Sequence, residues 1–142
     1  MARSISKKYV YLRENGPICE VVLKLSFPTV EALCLEKKDV PFVKVNALID
    51  TGAQTTAVSR KVADKLKLVP RGKAKVYTSQ SNKIVNEYDI CLEFDSDVYI
   101  NTLRVLGADL ENHNIDCLIG RDVLQWGVFT YDGPKKEFTF SF

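Results

Sequence analysis

This sequence of 142 residues is poor in the side chains that metal and thiol chemistry needs. It holds one histidine, His113, and four dispersed cysteines, Cys19, Cys34, Cys91 and Cys117, with no Cys-x-x-Cys pair. Structural zinc sites take closely spaced nitrogen and sulfur ligands, so that class is excluded and no metal or other cofactor is expected. A disulfide framework is not expected either. Cys91 and Cys117 lie in apolar runs, where buried free thiols are the ordinary state. No apolar run approaches the roughly 18 residues that cross a bilayer, and none follows the polar opening Met1–Lys8 as a secretory signal requires. The expectation is a soluble, cytoplasmic protein with no membrane partner. A charge excess is missing too: 20 Lys/Arg against 18 Asp/Glu leave +2, and the doublets Lys7-Lys8, Lys37-Lys38 and Lys135-Lys136 are short and scattered. That balance gives no electrostatic case for nucleic acid.

What is present has a period of two. Apolar and polar residues alternate between turn signals, and no repeat, linker or low-complexity stretch divides the chain, so a mainly β, closed or sandwich-like domain is expected. Strands are expected over Tyr9–Leu12 and Ile18–Ser26, around a turn at Asn15-Gly16-Pro17. Phe27-Pro28 ends the second strand, because proline cannot donate to a ladder. Thr29–Glu36 reads as either a short helix or a strand, and Lys37-Lys38-Asp39 as a polar turn. Pro41–Ile49 is a strand and Gln54–Val58 is extended. Ser59 is placed to cap a helix carrying Val62, Ala63 and Leu66 on one face, stopped by Val69-Pro70-Arg71-Gly72. Lys75–Tyr77 and Ile84–Phe94 form the arms of a hairpin with its tip at Ser79–Asn82. Val98–Leu106 is a strand, Asp122–Trp126 a short helix, Asp132-Gly133-Pro134 a turn, and Phe138, Phe140 and Phe142 alternate in a terminal strand. One or two short helices are therefore expected.

Two segments carry chemistry. The apolar strand Ala47-Leu48-Ile49 runs into Asp50-Thr51-Gly52-Ala53, so Asp50 leaves a buried strand rather than a solvated loop. Later comes Ile115-Asp116-Cys117-Leu118-Ile119-Gly120-Arg121-Asp122-Val123-Leu124. In order and separation these segments resemble the retropepsin-like (retroviral-type) aspartic proteases. The resemblance covers residues 41–142, with residues 1–40 an N-terminal extension of strands packed on the core.

The resemblance implies a closed, barrel-like β fold and an aspartic endopeptidase that needs no cofactor. Asp50 would be the catalytic carboxylate, with Thr51, Gly52 and Ala53 completing its turn. Such enzymes hold water between two carboxylates that share one proton, since two charges about 3 Å apart cannot both persist. Gly52 would permit a strained turn and a close approach to substrate. Ala53 adds no hydroxyl, so a working range less acidic than in relatives with serine there is expected. Only one such turn is present, which implies a homodimer contributing one Asp50 from each chain to a polypeptide substrate. Family members build part of that interface from terminal strands, which fits the Phe138/Phe140/Phe142 alternation, although an ordinary core strand gives the same pattern. Ser79, Gln80 and Ser81 would sit on a flap, Ile84 and Leu118 would line side-chain pockets, and Gly120, Arg121 and Asp122 would support the site. The flap tip departs from the family by lacking glycine. Gln54 stands where many relatives have an acid, so Arg121 is expected to find Asp122 or another carboxylate. The alternative is a catalytically silent dimerisation or peptide-binding module of the same fold. A metal- or cysteine-dependent hydrolase is disfavoured by the single histidine and unclustered cysteines.

Overall fold

Ten strands and four short helices follow in the order β1 (Ser4–Lys8), α1 (Leu12–Asn15), β2 (Ile18–Leu25), α2 (Phe27–Leu35), β3 (Phe42–Ile49), β4 (Ala57–Ser59), α3 (Arg60–Lys65), β5 (Gly72–Tyr77), β6 (Asn82–Asp95), β7 (Val98–Ala108), β8 (Cys117–Ile119), α4 (Arg121–Leu124), β9 (Val128–Asp132) and β10 (Glu137–Ser141). The structure, a computed structural model, describes residues 3–77, 81–95, 98–110 and 114–142. The larger sheet has the order β2-β3-β8-β4-β7-β6-β5. Strand β2 also pairs with β6, through Val22↔Glu93 to Leu25↔Ile90, which closes six strands into a barrel and leaves β5 as an outer edge.

Period-two alternation explains what fills this barrel. Cys19, Val21 and Leu23 point inward from β2, Ala47 and Ile49 from β3, and Cys117 and Ile119 from β8, all buried. Ile90, Leu92, Val105 and Val58 complete the layer, with Val62 and Leu66 of α3 against it. Each fully buried aliphatic side chain contributes on the order of 2 kcal/mol relative to exposure. The parallel pairings β3–β8 and β4–β7 lie at the centre. They bring the end of β3 beside the end of β8, which is what positions the site.

A second sheet, β1-β10-β9, sits on the core. Its rows Ile5↔Phe140↔Phe129 and Lys7↔Phe138↔Tyr131 face inward at the phenylalanines. Phe138 and Phe140 are each 1% exposed and belong to the chain's own core, as the core-strand reading of this alternation expects, while Phe142 is half-buried. Strand β10 has neighbours on both sides and offers no free edge.

Several local expectations are corrected. Residues 9–12 are not a strand; the first strand is Ser4–Lys8, made by pairing with β10, and Leu12 instead opens a helical turn whose side chain is buried. Gly16 ends that turn at φ 79°, in the left-handed region that glycine tolerates. The ambiguous segment is helix α2, so four short helices form among the described residues rather than one or two. Helix α3 stops earlier than Val69-Pro70, because Lys67 turns left-handed at φ 51° and Leu68 N–H closes on the Ala63 carbonyl at 2.9 Å. Gln54 and Thr55 are bends, with extended pairing beginning at Ala57. The hairpin arms are longer than expected, Gly72–Tyr77 and Asn82–Asp95, in register from Gly72↔Glu87 to Tyr77↔Asn82.

Candidate functional site

The site begins where β3 leaves the barrel. Asp50 N–H donates to the Ile119 carbonyl at 2.8 Å, the last rung between β3 and β8. The chain then turns. Ala53 N–H reaches back to the Asp50 carbonyl at 3.1 Å, and Gly52 N–H donates to Asp50 Oδ1 at 2.9 Å. A half-buried carboxylate is thus held at the lip of an apolar barrel with one oxygen fixed by the backbone. Gly52 does not adopt a left-handed conformation; Gly16 is the positive-φ glycine among the described residues. Its value is space, since a Cβ there would stand 3.1 Å from Asp50 Oδ1 and crowd the carboxylate. The Thr51 side chain is exposed, and no group among the described residues bonds its hydroxyl.

The second run locks this turn from beneath. Gly120 lies against the strand that follows Asp50: a Cβ there would fall 2.8 Å from the Thr55 carbonyl carbon and 2.9 Å from the Ala53 oxygen. With that approach open, the first N–H groups of α4 meet the turn directly. Arg121 N–H donates to the Ala53 carbonyl at 2.8 Å and Asp122 N–H to the Gln54 carbonyl at 3.2 Å. Helix N-termini leave such donors unpaired within the helix, and here the Asp50 turn accepts them. The Asp122 carboxylate takes Thr56 N–H at 3.0 Å, Thr56 Oγ1 at 2.7 Å and Val123 N–H at 2.9 Å. Thr56 Oγ1 in turn accepts from Gly120 N–H at 3.1 Å. Arg121 departs from expectation: its Nη1 donates to the Thr51 carbonyl at 2.8 Å, and it forms no ion pair with Asp122 or another acid among the described residues. Thr56, fully buried, is the residue that sequence reading missed; the Asp-x₅-Thr spacing after Asp50 offered no local sign of it.

The other expected positions are less concentrated. Leu118 is half-buried on β8 between Leu48 and Ala57, close to the turn. Ile84 is 67% exposed on the second hairpin arm, opposite Lys75. Ser81 is exposed near the hairpin tip, while Ser79 and Gln80 lie outside the described residues. Ser59 caps α3 as expected, accepting Val62 N–H at 3.3 Å, and also donates to Asp116 Oδ1 at 2.9 Å. Cys19, Ala47 and Cys117 form one cross-strand row inside the barrel. Burial pushes the Cys19 thiol up to about 11 and the Cys117 thiol higher still. Neither is poised as a nucleophile, because the thiolate is the reactive form. No cluster of three or more His, Cys, Asp or Glu among the described residues could hold a metal ion, and no helix there is long and apolar enough to cross a membrane.

Residues 40–126 match the protein family described as "gag-polyprotein putative aspartyl protease". Among solved structures, the chain is similar to a retropepsin-like aspartic protease from Rickettsia conorii, at 14% identity and a TM-score of 0.59, covering 100% of this chain and 93% of that one. It is also similar to the EIAV protease complexed with the inhibitor HBY-793, at 21% identity and a TM-score of 0.52, covering 82% of this chain and 92% of that one. At these identities the likeness is one of fold. No curated protein sequence matches the chain.

Proposed function

The chain belongs to the gag-polyprotein aspartyl protease family, and from that membership and the geometry of its Asp-Thr-Gly turn we propose an aspartic endopeptidase that works as a homodimer. One observation carries this reading: Asp50 is presented at the barrel lip by a turn whose carbonyls are held by Arg121 and whose following strand is held by Asp122. Such a framework supports the reading, because acid–base catalysis needs a carboxylate held in a fixed position.

In the dimer two Asp50 side chains face one water across the two-fold axis and share a proton. The ionised carboxylate takes a proton from the water as its oxygen attacks the scissile carbonyl. The protonated carboxyl gives its proton to the carbonyl oxygen, forming a gem-diol. Collapse of that intermediate breaks the C–N bond while the amide nitrogen takes up a proton, leaving a new carboxyl and a new amine. The exposed Thr51 hydroxyl is available to the partner's turn. The β5–β6 hairpin folds over the bound peptide and excludes water. Ile84 and Leu118 supply apolar contacts to its side chains. Gly120, Arg121 and Asp122 position Asp50 and do not touch substrate.

The test compares wild-type and Asp50→Asn protein on an unstructured peptide library from about pH 4 to pH 7, the range over which a shared-proton pair can act, with the dimer measured by analytical ultracentrifugation. Cleavage by wild type alone is the expected result. Cleavage retained in Asp50→Asn overturns the mechanism. A wild-type dimer that cleaves nothing, yet binds peptides, overturns it in favour of a silent binding module.

A further inference from the structure

Eight basic residues and one acid, Asp64, stand between Arg60 and Lys83, a local charge of +7; the other twelve basic and seventeen acidic residues give the rest of the chain −5. The near-neutral total conceals this division. Arg60, Lys61, Lys65, Lys67, Arg71, Lys73, Lys75 and Lys83 are all exposed. The ion pairs among the described residues, Lys24–Glu93, Lys38–Glu36, Lys44–Glu20 and Arg104–Asp89, use none of them.

Four of these charges line one groove of about 1000 Å³ between α3 and the hairpin. Arg60, Lys61 and Lys65 line it from the helix and Lys83 from β6. Lys75 pairs with Ile84 and Lys73 with Asn86. Cross-strand partners share a sheet face, so Lys73 and Lys75 stand beside Asn86 and Ile84, two of the groove's lining residues. Among the described residues three carboxylates also reach it, Asp64, Asp109 and Asp116. Asp116 already accepts the Ser59 hydroxyl at 2.9 Å.

Resting on the proposed protease activity, we infer that this groove is a substrate subsite that takes an acidic stretch of the polypeptide, away from the bond that is cut. Its position supports the role. Asp116 immediately precedes β8, and Asp50 donates its N–H to Ile119 at the far end of that strand. Three strand residues separate them, about 10 Å, so an extended substrate at Asp50 reaches the groove some three to five residues from the scissile bond. Lysines on β5 also guard an edge strand against pairing with other chains. That accounts for Lys73 and Lys75 but not for Arg60, Lys61 and Lys65 on the facing helix. Nucleic acid fits less well. Among the described residues the groove lining contains no aromatic side chain to stack a base, and its aspartates would face phosphates. Such a subsite contributes remote binding energy and steers acidic chains to the cleft by long-range attraction.

Two labelled peptides test this, one with Asp/Glu four residues from the cut bond and one with Asn/Gln there. Wild type should cleave the acidic peptide with kcat/KM about tenfold higher, and that ratio should collapse in Lys61→Glu/Lys65→Glu/Lys83→Glu, three rim charges each of modest effect. Circular dichroism confirms that the variant is folded, and Arg60→Gln/Lys65→Gln serves as a milder second variant. Non-cleaving Asp50→Asn protein supplies a binding arm: fluorescence anisotropy should show tighter binding of the acidic peptide, weakening as salt rises from about 50 to about 300 mM. Equal rates and affinities for both peptides, or a preference unchanged in the charge-reversed protein, overturn the subsite. A single-stranded oligonucleotide that outcompetes the acidic peptide overturns it in favour of nucleic acid. If wild type cleaves nothing, the protease reading fails, while the binding arm still decides whether the groove selects acidic chains.

Discussion

Asp122 holds Thr56 with both carboxylate oxygens, one on its hydroxyl at 2.7 Å and one on its backbone N–H at 3.0 Å, across 66 residues of sequence. The pair joins the strand leaving the Asp50 turn to the first turn of α4. Because Thr56 is fully buried, no water stands ready to replace either bond.

Asp122→Ala leaves Thr56 N–H and Val123 N–H without their acceptor and removes the partner of the Thr56 hydroxyl. A loss of about 3 kcal/mol is expected, from an unsatisfied-donor cost of about 1–3 kcal/mol each, reduced by relaxation. Asp122→Asn keeps the shape and one acceptor oxygen for the Thr56 hydroxyl and Val123 N–H but sets an amide NH2 against Thr56 N–H, so a smaller loss of about 2 kcal/mol is expected. Urea unfolding of the two variants checks the order, which would be reversed or flat if the carboxylate were a surface charge only.

Gly120→Ala should be worse for activity than for folding. The added methyl meets backbone atoms of Ala53 and Thr55 at 2.8–3.1 Å, so the Asp50 turn must shift. Overpacking of this kind costs about 1–3 kcal/mol. Displacement of the carboxylate by several tenths of an ångström should cut kcat at least about a hundredfold. A variant with near-normal kcat would show that the turn tolerates movement and that the contact is not what positions Asp50.

The thiols should divide by burial. Cys34 is exposed, whereas Cys19, Cys91 and Cys117 are buried. Brief alkylation of native protein near neutral pH should label Cys34 and spare the other three, as read by mass spectrometry. Labelling of Cys117 before unfolding would contradict its place inside the barrel.

The same burial sets an alkaline limit. The Cys19 thiol is raised from 9.0 to about 11 in the folded chain. Below pH 9 both folded and unfolded forms keep the proton and the full stability is present. Between pH 9 and pH 11 the unfolded chain gives its proton up first, so stability falls as pH rises, by at most about 3 kcal/mol for this group. Plotted over that window, unfolding free energy should decline less steeply in Cys19→Ala than in wild type, whatever the constant cost of the cavity. Parallel slopes would remove Cys19 as a cause.

The sequence revealed features whose cause is local. The alternating apolar residues of β3, the turn at Asp50 and the Ser59 cap all depend on neighbours a few residues away, and all stand where expected. Features made by distant partners were not legible. Strand β1 is not strongly patterned, and exists because Glu137–Ser141 pairs with it, whereas the more apolar Tyr9–Leu12 turns away to bury Leu12. Arg121 was expected to seek an acid, yet lies where the Thr51 carbonyl is the nearest acceptor. The basic face was hidden for the same reason. Arg60, Lys61 and Lys65 are spaced along one stretch of sequence, and only the returning hairpin brings Lys83 to the groove they line.

The Ser6 and Thr139 hydroxyls bond at 2.8 Å although 133 residues separate them. The sheet holding them therefore has a very large loop to close and cannot begin until residues 137–141 have left the ribosome. Closing so long a loop makes this pairing a late step in folding. Until it happens β10 has β9 on one side and an unpaired edge on the other, so the nascent chain passes through an adhesive interval with the barrel strands already made and one strand edge still open.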